Sequence, residues 1–299
     1  MAAAPLDGIQ RIVFLGDSIT EAGGYVTDVE CWLISQGHRV EVLDIGLSSE
    51  TATELTPAEN SPHKNAYGFP RPFVGDRLDR ALALTRPDLL FVCYGMNDAS
   101  ELPEGPEGLD RYAKAINRLR EAALQVGAKR VVFCTAPVHD PIHPIAPEQN
   151  PHERNLVAYR DWLLSERADG WDVVDIHGPM RRDLNAARKT TPAFRFQPDG
   201  VHPDRKGHWV MAREILAQFL GANLEGITSS PQFFKKNGAS IRELIDRRRE
   251  ILSSSLMTQI GHQRPNVPGG PGVPPGPSPD TAQAQADEIT RSIDSLLHH

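Results

Sequence analysis

Five short apolar runs alternate with longer mixed stretches over the first 222 residues, and that alternation sets the fold class. The runs cover 11–15, 40–45, 89–94, 130–134 and 171–176. The third is apolar throughout, as in a strand covered on both faces. Between and after the runs, helical patterns cover 26–36, 76–85, 109–126, 155–165 and 205–220. In 76–85, Leu78, Ala81, Leu82 and Leu84 fall at helical spacing, and Pro87-Asp88 stops the helix. A strand and helix in strict turn call for crossover connections, so the chain is read as α/β, a parallel sheet with helices on both faces.

The remainder reads differently. Residues 241–260 form a highly charged helix containing Arg247-Arg248-Arg249, most simply a solvated face. Residues 265–279 are rich in proline and glycine and are expected to be an extended linker. Residues 281–297 carry Ile289, Ile293, Leu296 and Leu297 on one stripe, as one more helix. Two units follow: a domain over 1–224 and a C-terminal extension over 225–299.

Composition excludes several functions. Of 299 residues, 39% are hydrophobic and 24% charged, ordinary values for a globular chain. A net charge of −7 offers no general attraction to nucleic acid or anionic membranes. No apolar run is long enough to span a bilayer. The three cysteines, Cys31, Cys93 and Cys134, have no metal-type spacing, and the last two lie in strands as small buried residues. The opening Met1-Ala2-Ala3-Ala4-Pro5 lacks the apolar core of a secretory signal. The compartment stays open, because a processed chain reads the same way.

Chemistry concentrates where strands end. Gly16-Asp17-Ser18 follows the first strand, at the edge where open α/β sheets place their ligand crevice. Ser18 is a candidate nucleophile there, against the plainer reading of a helix-capping serine. Gly46 closes the second strand, either as a turn residue or as a backbone N–H donor beside the substrate. Asn97 follows the third strand in Gly95-Met96-Asn97-Asp98, either as a turn residue or with its amide aimed at a developing oxyanion. Asp199 and His202 share one short loop before the last helix of the domain. At that spacing the carboxylate can hold Nδ1–H and leave Nε2 facing a nucleophile. Four such signals, each at or beyond a strand end, point to one crevice.

With those residues in place, the chain resembles the SGNH hydrolases, or GDSL esterase/lipase family. Gly16-Asp17-Ser18 is similar to the family's first block, Gly46 to its second, Gly95-x-Asn97-Asp98 to its third and Asp199-x-x-His202 to its fifth. The likeness covers residues 9–222. Asp44 and Ser49 depart from the second block, standing where many members have Asn and a second Gly. The resemblance implies a flavodoxin-like three-layer αβα fold with a five-stranded parallel sheet. It implies Ser18 as nucleophile, His202 as base and Asp199 as its orienter. The oxyanion hole it implies consists of the Ser18 and Gly46 N–H groups and the Asn97 side chain. Residues 71–98, 127–137 and 177–180, with the C-terminal extension, resemble a bacterial, planctomycete-type subgroup.

The expected activity is cleavage of carboxylic esters through an acyl-enzyme, without metal or cofactor. Short-chain or acetyl esters, including those on carbohydrates, are expected; a lipase or thioesterase for longer chains is the alternative. A second alternative is an inactive carbohydrate-binding or scaffold protein. A third is a metal-dependent hydrolase using His139, Asp140, His143 and His152, set among prolines at 137, 141, 144 and 147. Substrate contacts are expected from Asp17, Tyr67, Phe73 and Val201. Tyr67 and Phe73, with His63 and Phe69, lie in 56–75, read as a long loop that either walls the site or packs its aromatics locally.

Overall fold

The computed structural model describes residues 5–298 except Pro144; Met1–Ala4, Pro144 and His299 lie outside the described residues. The chain opens with strand β1 (Arg11–Gly16), a one-turn helix α1 (Ser18–Glu21) and α2 (Gly24–Ser35). Then follow β2 (Glu41–Asp44), α3 (Pro57–Tyr67), α4 (Leu78–Thr85) and β3 (Leu89–Cys93). The next elements are α5 (Met96–Glu101), α6 (Pro106–Gln125), β4 (Arg130–Cys134), α7 (Pro151–Ser165) and β5 (Asp172–Val174). The chain finishes with α8 (His177–Arg188), α9 (Arg205–Gln218), α10 (Gly238–Ile260) and α11 (Pro279–His298).

All five strands pair in parallel, in the order β2-β1-β3-β4-β5. This is the flavodoxin-like order, and it reverses between β1 and β3. Loops leaving those two neighbours diverge to opposite faces and open a crevice at their C-terminal ends. Every residue of β3 is buried, because helices cover both faces of the sheet. Phe14 of β1 stacks on Phe91 of β3, with ring centroids 4.7 Å apart, so the central strands share a packed aromatic seam. α6 buries Tyr112, Ala115, Ile116, Leu119 and Ala123, an apolar stripe at helical spacing.

Besides the short α1 and α5, two longer helices sit where the sequence suggested none. In 56–75, α3 begins with a capping box, Thr56 and Glu59 each bonded to the other's backbone N–H, and ends at Gly68 with φ 84°. Only His63 of that helix is buried, so no apolar period marks it. α8 buries Pro179, Met180 and Leu184 in an otherwise polar sequence.

The extension folds against the domain. Met257, Ile260 and Val267 join the main hydrophobic core. α11 lays Ile289 and Ile293 against Ile241 and Ile245 of α10, with Cys31 beneath them. α10 packs along β2 and so covers an edge of the sheet. The proline- and glycine-rich stretch is a strap of successive turns rather than an extended linker; its Gly276 N–H donates to Thr258 Oγ1 at 2.8 Å. The arginine cluster also differs from a solvated face. Arg247 is exposed, but Arg248 pairs with Glu30 at 2.8 Å and Arg249 is buried against Asp44. Buried carboxylates on the domain meet these guanidinium groups, which helix periodicity alone does not reveal.

All three cysteines are free and buried. Among the described residues, no helix is long and apolar enough to cross a membrane.

Candidate active site

The first strand delivers Ser18. Gly16 has no room for a side chain: a Cβ there would lie 2.1 Å from Thr20 Oγ1 and 2.7 Å from the Cys93 carbonyl. The chain therefore turns tightly from β1 into α1. Asp17 caps that turn by accepting the Ile19 N–H at 2.9 Å. Ser18 is left at the helix start, half-buried and facing the crevice.

The partners arrive from the loop before α9. Ser18 Oγ lies 2.8 Å from His202 Nε2, and His202 Nδ1 lies 2.6 Å from Asp199 Oδ2. The other Asp199 oxygen accepts the Val201 and His202 N–H groups at 2.9 and 2.7 Å. One carboxylate thus fixes both the loop and the imidazole. Burial pushes the Asp199 carboxyl up, but bonds from His202 and the two amides outweigh this and hold it below the usual range. Gly200, at φ 92°, supplies the left-handed turn between the two functional residues.

Asn97 stands opposite, from the start of α5. Its Oδ1 accepts from Arg71 Nη1 at 2.7 Å, and its Nδ2 donates to the Glu50 carbonyl at 2.9 Å. These bonds orient the amide and leave the second Nδ2 hydrogen for the crevice. Arg71 is held in turn by Glu101 at 2.7 Å. Asp98 is fully buried and accepts the Ala52 and Thr53 N–H groups, tying β3's exit to the loop after β2. Glu50 anchors the same loop through Arg77 and the Tyr94 hydroxyl.

Gly46 does not occupy the position expected of it. Its N–H donates to Asp44 Oδ1 at 2.9 Å, and the residue does not line the crevice. Its glycine is required by packing, since a Cβ would lie 2.2 Å from the Glu21 nitrogen. The crevice is reached instead by Ser49, three residues on, with φ 66°. Neighbouring amides in this loop are taken: Leu47 donates to the Gly16 carbonyl, Ser48 to Glu21 and Glu50 to the Leu47 carbonyl. Among the described residues, none accepts from the Ser49 N–H.

Two further expectations are corrected. Asp17 lies beneath the site, 3% exposed, with its carboxyl pushed up to about 7 by burial; His202 opposes that rise and Asp98 and Glu50 add to it. Phe73 faces a separate cavity between the domain and the extension, alongside Arg77 and Ile260. Tyr67 and Val201 do line the crevice. Its volume is about 410 Å³. Sequence reasoning missed Arg71, Ser100, His152 and Arg264 on its walls. Arg264 belongs to the strap, so nothing local in sequence links it to Ser18.

Two of the histidines weighed as metal ligands, His139 and His152, are otherwise engaged. His139 and His152 stack with centroids 4.0 Å apart, and Asp140 pairs with Arg188 and Arg195. His152 Nε2 is bonded to the Met96 carbonyl, and burial pushes its pKa down to about 3. Among the described residues, no three His, Cys, Asp or Glu side chains converge as metal ligands.

Known proteins agree with this architecture. No curated protein matches the sequence. Among solved structures, a gut microbial diltiazem-metabolizing enzyme is similar at 22% identity and TM-score 0.56, over 71% of this chain; the chain spans about half of that enzyme, 47%. An acetyl-xylooligosaccharide esterase from Geobacillus stearothermophilus is similar at 22% identity and TM-score 0.52, over 72% of this chain and 95% of its own. The acetyl xylan esterase AlAXEase follows at 18% identity and TM-score 0.50, over 69% and 98%. These likenesses concern the fold. The GDSL-like lipase/acylhydrolase family model matches residues 14–210, which includes Ser18, Asn97, Asp199 and His202; the chain belongs to that family and is a carboxylic ester hydrolase.

Proposed function

We propose that Ser18 is the nucleophile of a serine esterase, His202 its general base and Asp199 the group that orients the base. The carrying observation is the unbroken chain of contacts, 2.8 Å from Ser18 Oγ to His202 Nε2 and 2.6 Å from His202 Nδ1 to Asp199 Oδ2. In this reading His202 takes the Ser18 proton as Oγ attacks the ester carbonyl. The tetrahedral oxyanion is met by the Ser18 N–H, the Ser49 N–H and the free hydrogen of Asn97 Nδ2. His202 then protonates the leaving alcohol, and water repeats the sequence on the acyl-enzyme. Asp199, kept ionised, stabilises the imidazolium that forms in each half.

The proposed substrates are short-chain or acetyl esters carried on a carbohydrate. A crevice of about 410 Å³ suits a small acyl group with one sugar-sized alcohol. Its lining combines polar residues, Ser48, Ser100 and Arg71, with the aromatic Tyr67 and Phe69. The esterase named for acetylated xylooligosaccharides shares the fold. The test compares wild type and Ser18→Ala on p-nitrophenyl esters of rising chain length and on acetylated sugars. Turnover is expected on acetyl and other short esters and is expected to vanish in the variant. Full turnover by Ser18→Ala overturns the mechanism; a preference for long acyl chains overturns the substrate class.

A further inference from the structure

Arg264 enters the crevice from the strap between α10 and α11, and it enters without a carboxylate. Its guanidinium lies over the Phe69 ring, 4.1 Å from the centroid. Phe69 meets His63 edge-on at 4.9 Å, and His63 packs on Tyr67 at 4.6 Å. All four line the same crevice as Ser18 and His202. Among the described residues, the Arg264 side chain meets the Phe69 ring and, from Nη1, the carbonyl of Pro265, while its backbone N–H donates to His262 Nδ1. Its Nε is buried and bonded to nothing.

Most other arginines at partly or fully buried positions have a carboxylate; Arg120, stacked on Trp171 away from the crevice, is an exception. Arg71 has Glu101, Arg77 has Glu50, Arg111 has Glu59 and Arg248 has Glu30. No Asp or Glu is among the residues that line the crevice. Burial holds the Arg264 pKa below its ordinary value; the Glu21 carboxylate opposes that, but its contacts are to the Ser48 N–H and hydroxyl. Holding Phe69 in place accounts for the stacked plane. It does not account for a partly buried cation on the wall of the crevice that holds Ser18, with no anion and with its buried Nε unpaired.

We propose that the crevice selects ester substrates whose sugar carries a carboxylate, with Arg264 as the residue that reads the charge. This rests on the serine esterase reading above. The aromatic row takes the apolar face of the ring. The planar guanidinium pairs with the carboxylate, which a bidentate geometry suits better than a lysine ammonium. The C-terminal extension thereby contributes directly to specificity.

The test uses the full chain and two matched substrates, O-acetylated methyl glucuronoside and O-acetylated methyl glucoside. Wild type is expected to favour the acidic ester in kcat/KM by about ten- to a hundredfold, the range of a charged hydrogen-bonded pair. Arg264→Gln is expected to reduce that ratio to near one, mainly through KM, and Arg264→Lys to restore part of it. Free glucuronate is expected to compete against p-nitrophenyl acetate where free glucose does not, a measurement that needs no variant. Equal handling of the two esters by wild type, a ratio unchanged in Arg264→Gln, or equal inhibition by the two sugars overturns the proposal. Loss of the serine esterase reading looks different: neither ester is cleaved and a fluorophosphonate probe does not label Ser18.

Discussion

The Arg249 guanidinium of α10 lies 3.0 Å from the buried carboxylate of Asp44, at the end of β2. The other Asp44 oxygen accepts the Gly46 N–H. Arg249 also donates to the Glu21 and Ala22 carbonyls, at the C-terminal end of α1, the helix that starts at Ser18. One side chain of the extension thus braces the two loops that frame Ser18 from behind. Burial pushes Asp44 up to about 6, with Arg249 opposing that rise.

Arg249→Met is expected to lower unfolding free energy by about 3–5 kcal/mol, because it strands a buried carboxylate. Adding Asp44→Asn keeps an acceptor for the Gly46 N–H and removes the charge. The double variant is expected to recover much of the loss in urea unfolding. Equal losses in the single and double variants contradict an electrostatic brace.

Asn97 and Arg71 form a second pair. Asn97→Ala is expected to lower kcat about 10²- to 10³-fold with little change in KM, as for removal of one oxyanion donor. Arg71→Met leaves the amide in place but frees its rotation, and a smaller fall, about tenfold, is expected. Steady-state kinetics on p-nitrophenyl acetate measures both, and a kcat untouched by Asn97→Ala removes the residue from the oxyanion hole.

Ser49 and Gly46 separate backbone shape from side-chain chemistry. Ser49 sits at φ 66°, a conformation glycine adopts without strain. Ser49→Gly is expected to keep kcat within about twofold and to hold stability within about 1 kcal/mol. Ser49→Val, β-branched at a left-handed position, is expected to impair both. Gly46→Ala is expected to damage folding, from the 2.2 Å approach to the Glu21 nitrogen. A tenfold fall in kcat for Ser49→Gly assigns the work to the hydroxyl rather than the N–H.

Asp17 gives a pH signature. Its carboxyl titrates at 3.8 ordinarily and at about 7 here, where burial disfavours the charge. The folded state therefore binds the proton more tightly than the unfolded one. Stability from this group is fully present below pH 3.8 and is lost as pH rises toward about 7. Asp17→Asn preserves the acceptor for the Ile19 N–H and stays neutral throughout. Its thermal midpoint is expected to match wild type near pH 4 and to exceed it by several degrees at pH 8. An equal difference at both values refutes the buried-acid account.

Much of the fold was legible because it rests on local pattern. The five apolar runs are the five strands, with β2 starting one residue later and β5 shorter than read, and the helices that bury an apolar stripe were visible as stripes. α3 and α8 were not, since a capping box and a few buried residues leave no hydrophobic period. Ser18, Asp199 and His202 were legible because strand ends converge and a carboxylate three residues before a histidine closes on it within one loop. Gly46 was misread for the opposite reason. Its spacing marked the loop, but which amide of that loop faces the crevice depends on where Asp44, Glu21 and Gly16 take up the others.

By itself the sequence carried the class of fold, through short-range periodicity, and the likeness to the ester-hydrolase family, through its motif blocks, with Ser18, Asp199 and His202 as the candidate residues. Tertiary structure alone decided that Ser49 rather than Gly46 reaches the crevice, that Arg249 lies buried against Asp44, and that Arg264 lines the crevice with Ser18 and His202. Those arrangements bring together residues far apart in sequence, Arg249 with Asp44 and Arg264 with Ser18 in the lining of one crevice. No local preference encodes them; they exist because the extension packs its apolar residues into the core and carries its charges with it.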